Sequence, residues 1–473
     1  MKPHFITATI GLTILMALSP QARANNPVLA KPIESPEEHA ARMAWWHEAK
    51  FGIMICWGLY SIPAGVWKGK VHATGYSEWI MFGEKIPVTE YELLAKRFNP
   101  SKFNATAWVA IAKQAGMKYM VFITKHHDGF SMFKSQLTPY NIVEATPFKR
   151  DVTLELSDAC RHSGMRFGCY YSIDRDWYRP QGSNNYHQNN SWDFPDTKRE
   201  DFDHYFATFA KPQVEELLTN YRPDLLWFDE IEMKTDAQVE DLYQMIRKLQ
   251  PRCLVNSRIK SPRFPDRIPP PYCDYISTGD NEIADKEIGF EWENPGSMNT
   301  SYAYNANDHN WVEAPEIVFR LVDIVSKGGN YLLDVGPTAE GLIPEACIKR
   351  LTEVGGWMKI NGEAIYGTSP SCFGAEYGKS TKAEDGDGDE RRASPIRQWR
   401  CTTKPGKIFF HIFEWPGTKF EVAGMKSTAT KAYLLADADR KSLPIAQDGK
   451  KFSVTLPATA PGKIASVLCV ETR

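Results

Sequence analysis

The chain has 473 residues, of which 42% are hydrophobic and 24% are charged. This balance excludes a disordered or collagen-like protein, and the length indicates two domains, or one barrel with an appended domain. The 56 basic and 58 acidic residues give a formal charge of -2 without a pronounced basic tract, which argues against nucleic acid or an acidic membrane surface as the main partner.

Residues 1–24 have the pattern of a secretory signal peptide. Lys2 precedes an apolar run over residues 5–18, and Ala22-Arg23-Ala24 provides the small residues of a cleavage site. The apolar run is too short to span a bilayer comfortably, and no later stretch reaches transmembrane length. We therefore expect an exported protein, periplasmic or extracellular, without a membrane span.

Between about residues 40 and 365, short apolar runs alternate with amphipathic stretches. The runs are typical of strands and cover residues 51–56, 119–124, 167–172, 225–228, 253–256, 290–292 and 331–335. The stretches between them place apolar residues at helical spacing, at 108–115, 214–221, 239–249 and 346–360. This alternation predicts a parallel sheet, and the length favours an α/β fold with a (β/α)8-type barrel as catalytic domain over residues 25–369. A doubly wound open sheet is the alternative, but no G-x-G-x-x-G follows the first strand, which excludes its usual dinucleotide-binding form.

After about residue 369 the pattern changes to short alternating runs separated by Gly, Pro and Lys turns. The runs at 407–413, 432–435 and 452–456 predict a C-terminal antiparallel β-sandwich over residues 370–473. The sequence Asp385-Gly-Asp-Gly-Asp resembles a calcium loop, yet it lacks the Gly and Glu that an EF-hand loop needs further along. We interpret it as a solvated acidic turn.

Reactive side chains follow several of the predicted strands, where the chemistry of a parallel barrel is located. Those that follow a strand are His126, His127, Asp128, Asp174, Trp177, Asp229, Arg258 and Glu293, and Tyr170, Tyr171 and Glu291 lie within the last residues of their predicted strands. Two carboxylates from different strands are the minimum set for hydrolysing a glycosidic bond, since one attacks the anomeric carbon and the other protonates the departing oxygen. An apolar neighbour such as Trp292 would raise the pKa of the acid.

Other interpretations of these residues exist. Asp229 alone would fit a helix cap or a loop salt bridge. His126, His127 and Asp128 would fit a metal site, but no third and fourth ligand occurs at a supporting spacing. The sequence contains no serine elbow, no Walker loop and no H-E-x-x-H motif.

Several motifs occur together in the order found in one enzyme family. They are Trp46-His47-Glu48-Ala49-Lys50-Phe51-Gly52, Trp57-Gly58-Leu59-Tyr60-Ser61, Ser77-Glu78-Trp79, Lys125-His126-His127-Asp128-Gly129-Phe130, Tyr170-Tyr171-Ser172, Leu226-Trp227-Phe228-Asp229, Gly329-Asn330-Tyr331-Leu332-Leu333, Gly336-Pro337 and Ile360-Asn361-Gly362-Glu363-Ala364-Ile365-Tyr366. Over nearly its whole mature length the chain resembles the α-L-fucosidases of glycoside hydrolase family 29.

This resemblance implies a retaining exo-glycosidase that removes terminal α-L-fucosyl residues from oligosaccharides or polysaccharides. It implies a barrel followed by a C-terminal β-sandwich, with no cofactor and no metal. The family nucleophile falls on Asp229, and the general acid/base is expected at Glu293, with Glu291 in reserve. The sugar-binding residues expected from the resemblance are Cys56, Trp57, Glu78, Trp79, His126, His127, Tyr170 and Arg258.

Two positions depart from the family pattern. Cys56 stands where the family usually has a His that contacts the sugar, and the loss of a hydrogen bond to a buried hydroxyl costs about 1–3 kcal/mol. The alternative substrate is therefore an α-L-galactoside or a substituted fucoside, hydrolysed by the same mechanism. Glu230 stands where a Gly is common, and would raise one carboxyl pKa if it faced Asp229.

Two further functions remain as hypotheses. A carbohydrate-binding protein without catalysis would bind sugar but show no turnover. A metal-dependent hydrolase built on His126, His127 and Asp128 would lose activity in the presence of a chelator.

Overall fold

The computed structural model describes residues 34–72, 75–180, 182, 188–196, 198–229, 234–260, 272–377 and 397–473. The strands of these residues, in chain order, are β1 (Phe51–Ile55), β2 (Val66–Trp67), β3 (Lys70–Val71), β4 (Tyr119–Lys125), β5 (Arg166–Ser172), β6 (Leu225–Asp229), β7 (Leu254–Val255), β8 (Ile276–Ser277), β9 (Trp292–Ser297), β10 (Asn330–Val335), β11 (Trp399–Lys404), β12 (Lys407–Ile412), β13 (Lys419–Ala423), β14 (Ala429–Leu434), β15 (Ile445–Asp448), β16 (Lys451–Thr455) and β17 (Ser466–Thr472).

The helices lie mostly between the parallel strands. They are α1 (Pro36–Ala49), α2 (Ile80–Gly83), α3 (Val88–Tyr91), α4 (Ala105–Gln114), α5 (Val152–Ser163), α6 (Arg199–Tyr205), α7 (Lys211–Asn220), α8 (Asp236–Leu249), α9 (Ala314–Ser326) and α10 (Glu345–Asn361). None of these described helices combines the length and the apolar character that crossing a membrane requires.

A curled sheet of eight parallel strands is the centre of the fold, in the order β7-β6-β5-β4-β1-β10-β9-β8. The two edge strands are joined by one isolated parallel bridge, between Asn256 and Tyr275, and not by a continuous ladder. The backbone N–H of Ser257 donates to the carbonyl of Tyr275 at 2.9 Å beside this bridge. The described strands therefore form a curled parallel sheet whose strand order does not reverse direction as that of a doubly wound sheet does, so the doubly wound alternative is wrong.

Local signals in the sequence explain where the outer helices begin and end. The side chain of Asp151 caps α5 by accepting a bond from the N–H of Leu154 at 3.0 Å, and Gly164 ends this helix in the left-handed conformation at φ 71°. Thr235 and Gln238 form a capping box at the start of α8.

Two antiparallel sheets follow, one in the order β11-β12-β17-β14 and one in the order β13-β16-β15. Phe410 of the first sheet packs against Phe420 and Phe452 of the second, with ring centroids 5.2 and 6.4 Å apart. On the other face of the first sheet, Phe409 and Tyr433 belong to the same apolar cluster as the parallel strands. A β domain of two sheets is thus packed on the parallel sheet, and residues 42–473 form one compact unit.

Most of the predicted strands coincide with observed ones, but one is displaced and one observed strand of the parallel sheet was not predicted. The run 290–292 was expected to be a strand, whereas β9 begins at Trp292 and continues through Pro295 and Gly296 to Ser297. β8 was not predicted, because it has only two residues, and neither were helices α1, α5, α6 and α9. The predicted signal peptide, Glu230 and the acidic turn at 385–389 lie outside the described residues.

Candidate active site

A cavity of about 590 Å³ lies at the carboxyl ends of the parallel strands. Its walls include residues that end or follow successive strands of the sheet, namely Cys56 after β1, His126 and His127 after β4, Asp229 at the end of β6, Arg258 after β7 and Asp280 after β8. The parallel topology therefore collects reactive groups that are far apart in the sequence at one edge of the sheet.

Asp229 is held in place on both of its carboxylate oxygens. The hydroxyl of Tyr170 donates to Oδ2 at 2.7 Å, and Nη1 of Arg258 donates to Oδ1 at 2.8 Å. The side chain of Asp229 is buried to about nine-tenths and borders the cavity. A carboxylate fixed in this way at the cavity wall has the position and the orientation that a nucleophile needs.

Arg258 links Asp229 to a second carboxylate of the cavity. Its Nη2 donates to Oδ1 of Asp280 at 2.5 Å and to the carbonyl of Thr278 at 3.0 Å. Burial opposes the charge of Arg258, but the carboxylates of Asp280 and Asp229 outweigh it and raise the pKa of the guanidinium. One guanidinium therefore bonds both carboxylates and holds them on the same side of the cavity wall.

The two histidines of the cavity are buried, and burial favours their neutral form. Burial lowers the pKa of His126 to about 3 and that of His127 well below its usual value. Nδ1 of His127 lies 2.6 Å from the hydroxyl of Ser172, and its Nε2 lies 3.7 Å from Oδ2 of Asp229. Each neutral imidazole combines a donor and an acceptor, which suits the recognition of sugar hydroxyls.

Glu78 and Trp79 also line the cavity. Glu78 is buried and accepts bonds from the N–H of Ala303 at 3.0 Å and from the hydroxyl of Ser301 at 3.3 Å. Burial raises the pKa of Glu78 to about 7, although these bonds oppose the shift. The ring of Trp79 packs edge-on against His127 at 5.1 Å. This part of the wall offers a carboxyl group and an aromatic face to a sugar.

Cys56 lines the cavity, whereas Trp57 does not. The Sγ of Cys56 lies 3.6 Å from the hydroxyl of Tyr60, and burial raises the pKa of the thiol well above its usual value. Trp57 is completely buried, packs against Phe103 and donates from Nε1 to the carbonyl of Thr338 at 2.9 Å. The expectation that Trp57 binds sugar is thus not supported, since its side chain belongs to the core.

Glu293 and Glu291 do not line the cavity either. Glu293 is fully buried and accepts bonds from the hydroxyl of Tyr119 at 2.6 Å and from Nε1 of Trp227 at 2.9 Å. It pairs in register with Asn330, the first residue of β10, so it lies at the amino ends of the strands. Glu291 is half-exposed and lies 3.4 Å from Nε2 of His47. Neither position faces the space where a leaving group would depart.

Besides Asp229 and Glu78, the carboxyl groups of Asp280 and Glu282 line the cavity, and neither of these two was predicted from the sequence. Both follow β8, the two-residue strand that was not predicted. The available signal was the short apolar run Tyr275-Ile276-Ser277 followed by Thr278-Gly279-Asp280. A reactive group directly after such a run fits the same rule that identified Asp229.

Asp128 faces away from the histidines that precede it. Its carboxylate accepts bonds from the hydroxyl of Tyr91 at 3.0 Å and from the N–H of Phe130 at 3.2 Å. Within the described part of the chain, the ligand atoms of His126, His127 and Asp128 do not converge within 4.8 Å of one another. Their arrangement does not resemble a metal site.

Comparisons with known proteins point to one family. The family model described as alpha-L-fucosidase matches residues 16–363. The chain is 27% identical to an alpha-L-fucosidase of Dictyostelium discoideum, over 88% of this chain and 89% of that protein.

Solved structures give the same result. Isoenzyme 1 of the alpha-L-fucosidase of Paenibacillus thiaminolyticus is 33% identical with a TM-score of 0.77, over 92% of this chain and 100% of that one. The alpha-L-fucosidase of Lactobacillus casei in complex with its α-L-fucose product is 38% identical with a TM-score of 0.62, over 68% of this chain and 99% of that one.

Proposed function

The chain belongs to the family of α-L-fucosidases, and we propose that it removes terminal α-L-fucosyl groups by double displacement with Asp229 as the nucleophile. The observation that supports this most strongly is the Asp229 carboxylate itself, fixed at the cavity wall by Tyr170 and Arg258. Asp229 attacks C1 of the sugar, the bond from C1 to the leaving oxygen breaks, and a glycosyl ester forms on Asp229. Water then attacks C1 and releases Asp229 and the sugar.

We further propose that Asp280, and not Glu293, is the general acid/base. Asp280 borders the cavity, and a third of its side chain is exposed, so it can reach both a departing oxygen and an incoming water. It protonates the leaving oxygen in the first step and takes a proton from water in the second. The bond from Arg258 stabilises the carboxylate form of Asp280 that the second step uses. The first step requires the protonated form, so we expect an acidic pH optimum.

The leaving-group dependence of Asp280→Asn tests this assignment. An aryl fucoside with a very good leaving group needs no acid, so the variant should still form the glycosyl enzyme from it. Fucosides of poor leaving groups should react about 10²–10⁴-fold more slowly than with the wild type. Added azide should restore turnover and give a fucosyl azide of retained configuration.

Glu293→Gln is the matched control. It changes the carboxyl group that the sequence predicted as the general acid/base, and Glu293 does not line the cavity. It should show the wild-type dependence on the leaving group. If Glu293→Gln gives the azide rescue and Asp280→Asn does not, the acid/base is Glu293 as the sequence predicted. Glu282→Gln, measured alongside, tests the neighbouring carboxylate in the same way.

Cys56 supports a second candidate substrate, an α-L-galactoside. The thiol at this wall is small and a weak hydrogen-bond partner, so the pocket has lost a polar group that a fucose hydroxyl would use. A sugar with an added hydroxyl at C6 would place an extra polar group in the cavity. Reversal of the preference between the two aryl glycosides in Cys56→His would support this candidate.

Two structural features and the export of the chain complete the proposal. We propose that β7 and β8 close the sheet as a (β/α)8 barrel, which is supported by the bridge between Asn256 and Tyr275. The packing of Phe410 on Phe420 supports a β-sandwich over residues 370–473. Export and cleavage after Ala24 are supported by the sequence pattern alone, and the N-terminal sequence of the mature protein tests them.

A further inference from the structure

A second cavity, of about 250 Å³, lies at the amino ends of the strands, at the opposite edge of the sheet from Asp229. Its lining comes from the residues just before or at the start of β5, β6 and β7, together with one residue of α1. The side chains that matter are Trp45, Arg166, Arg222, Asp224, Gln250 and Arg252. We call this cavity the arginine pocket.

The arginine pocket carries an excess of positive charge. Its single carboxylate, Asp224, is already occupied by Nη1 of Arg166 at 2.7 Å and by the N–H of Phe167 at 3.0 Å. Arg222 and Arg252 are exposed and have no hydrogen-bond or ion-pair partner among the described residues. The chain as a whole has a formal charge of -2, so a pocket with two unpaired guanidinium groups is a local exception.

An aromatic ring lies beside these charges. Trp45 is half-buried, and the guanidinium of Arg166 lies over one face of its ring, 5.4 Å from the centroid, so a ligand can stack only on the other face. The ring also packs edge-on against Tyr119 at 6.0 Å, which fixes its orientation. A fixed indole that borders a cavity suits the apolar face of a sugar ring, and planar guanidinium groups suit sulfate or carboxylate oxygens.

We propose that the arginine pocket binds a sulfated or carboxylated unit of a polysaccharide, with the sugar ring on Trp45 and its anionic group on Arg222 and Arg252. This rests on the proposed function only in taking the ligand to be a glycan. A larger cavity of about 960 Å³ shares Arg166, Arg222 and Asp224 with the pocket and extends the groove, so a longer chain can continue beyond the first unit.

Binding of a sulfated fucan to the full chain tests the proposal, with the same polymer after desulfation and inorganic sulfate as further probes. We expect the wild type to bind the sulfated fucan at least 10-fold more tightly than the desulfated polymer and than inorganic sulfate. The double variant Arg222→Ser with Arg252→Ser should lose at least 10-fold in affinity, and binding should weaken with added salt.

Arg97→Ser is the matched control, since Arg97 is also exposed and lies outside both cavities. It should bind as the wild type does, and all three proteins should hydrolyse a small aryl fucoside equally fast. Unchanged binding in the double variant, equal affinity for the desulfated polymer, or equal affinity for inorganic sulfate would each overturn the proposal. A wild type that does not hydrolyse the aryl fucoside would contradict the proposed function, but it would not bear on the proposal that the arginine pocket binds an anionic glycan.

Discussion

At the scale of single residues, two tyrosine hydroxyls each donate a hydrogen bond to a buried carboxyl group, but only one of these carboxyl groups faces the cavity. Tyr170 donates to Asp229 at the cavity wall, and Tyr119 donates to Glu293 below it. Both bonds are short, but only the first acts on a group that faces the cavity. A hydrogen bond of the same kind therefore orients a nucleophile in one place and stabilises the core in the other.

This difference predicts opposite effects of the same substitution. Tyr170→Phe removes one of the two bonds that orient Asp229, so kcat/KM for an aryl fucoside should fall about 10- to 100-fold, at a small cost in stability. Tyr119→Phe leaves a lone pair of buried Glu293 without a donor, so it should cost about 1–3 kcal/mol of unfolding free energy and leave kcat/KM unchanged. Steady-state kinetics and denaturant unfolding of both variants measure the two effects. A loss of kcat/KM in Tyr119→Phe with a loss of stability alone in Tyr170→Phe would contradict the prediction.

Glu293 also makes the stability of the protein depend on pH. Burial raises its pKa to about 7 from 4.5, so the folded state holds a proton that the unfolded chain has released. Stability from this group is full below about pH 4.5, is lost as the pH rises to about 7, and is constant above. In Glu293→Gln the amide keeps a carbonyl for Trp227 and can donate to the rotated hydroxyl of Tyr119.

We therefore expect the pH dependence to shrink in Glu293→Gln. At about 1.4 kcal/mol per pKa unit, the unfolding free energy should change by about 3 kcal/mol less between pH 4.5 and pH 8 than in the wild type. Urea unfolding at both pH values measures the difference. An identical pH dependence in the two proteins would show that Glu293 is ionised in the folded state at neutral pH.

At the scale of secondary structure, the observed start of β9 explains why the sequence predicts Glu293 as the general acid/base and the structure does not place it at the cavity. With a strand at 290–292, Glu293 would stand at the carboxyl end, where catalytic groups belong. The observed β9 begins at Trp292, so Glu293 is at the amino end. Pro295 and Gly296 made this segment look unlike a strand, since neither residue favours a sheet interior.

The sequence was informative where the strands are long and apolar. β1, β4, β5 and β6 were predicted to within about two residues, and with them the positions of Cys56, His126, Tyr170 and Asp229. β8 pairs over only two residues, so the apolar run that precedes Asp280 is a weak strand signal in the sequence and is easily overlooked. The length of the preceding strand therefore explains both outcomes. Residues that end or follow long apolar strands could be placed from the sequence, whereas Asp280, which follows the two-residue β8, was missed.

Helix packing can be tested with two adjacent glycines of α10. A Cβ at position 355 would overlap the carbonyl oxygen of Gln114 at the end of α4, whereas a Cβ at position 356 would meet nothing within 4 Å. Gly355→Ala should therefore destabilise the fold by about 1–3 kcal/mol. Gly356→Ala should stabilise it by about 0.4–1 kcal/mol, because alanine favours the helix. Thermal unfolding of the two variants measures these changes in stability. Equal effects of the two substitutions would contradict the predicted difference in helix packing.

At the scale of the whole molecule, a buried ion pair connects the antiparallel sheets to the parallel one. Arg400 of β11 is fully buried and donates to Asp323 of α9 at 2.5 Å. Lys327 donates to the same carboxylate at 2.7 Å. Trp357 of α10 also donates to the carbonyl of Ala465 at 2.9 Å, and from these contacts we propose that the C-terminal sheets brace the parallel sheet and its helices.

The buried contacts around Arg400 predict that the antiparallel sheets and the parallel sheet unfold together. Arg400→Met removes one partner of a buried pair, which typically costs about 3–5 kcal/mol. Because the sheets share a core, calorimetry should show one cooperative transition in both the wild type and Arg400→Met, at a lower temperature in the variant. Two separate transitions in the wild type would contradict the bracing role of the C-terminal domain.

The role of Asp229 as the nucleophile is tested most directly by the rates at which the wild type and Asp229→Asn hydrolyse an aryl α-L-fucoside and an aryl α-L-galactoside. We expect the wild type to prefer the fucoside, and the folded variant to lose at least about 10³-fold in rate, since the nucleophile is gone. Full activity in Asp229→Asn, or a wild type inactive on both sugars, would contradict the assignment of this carboxylate and of its cavity.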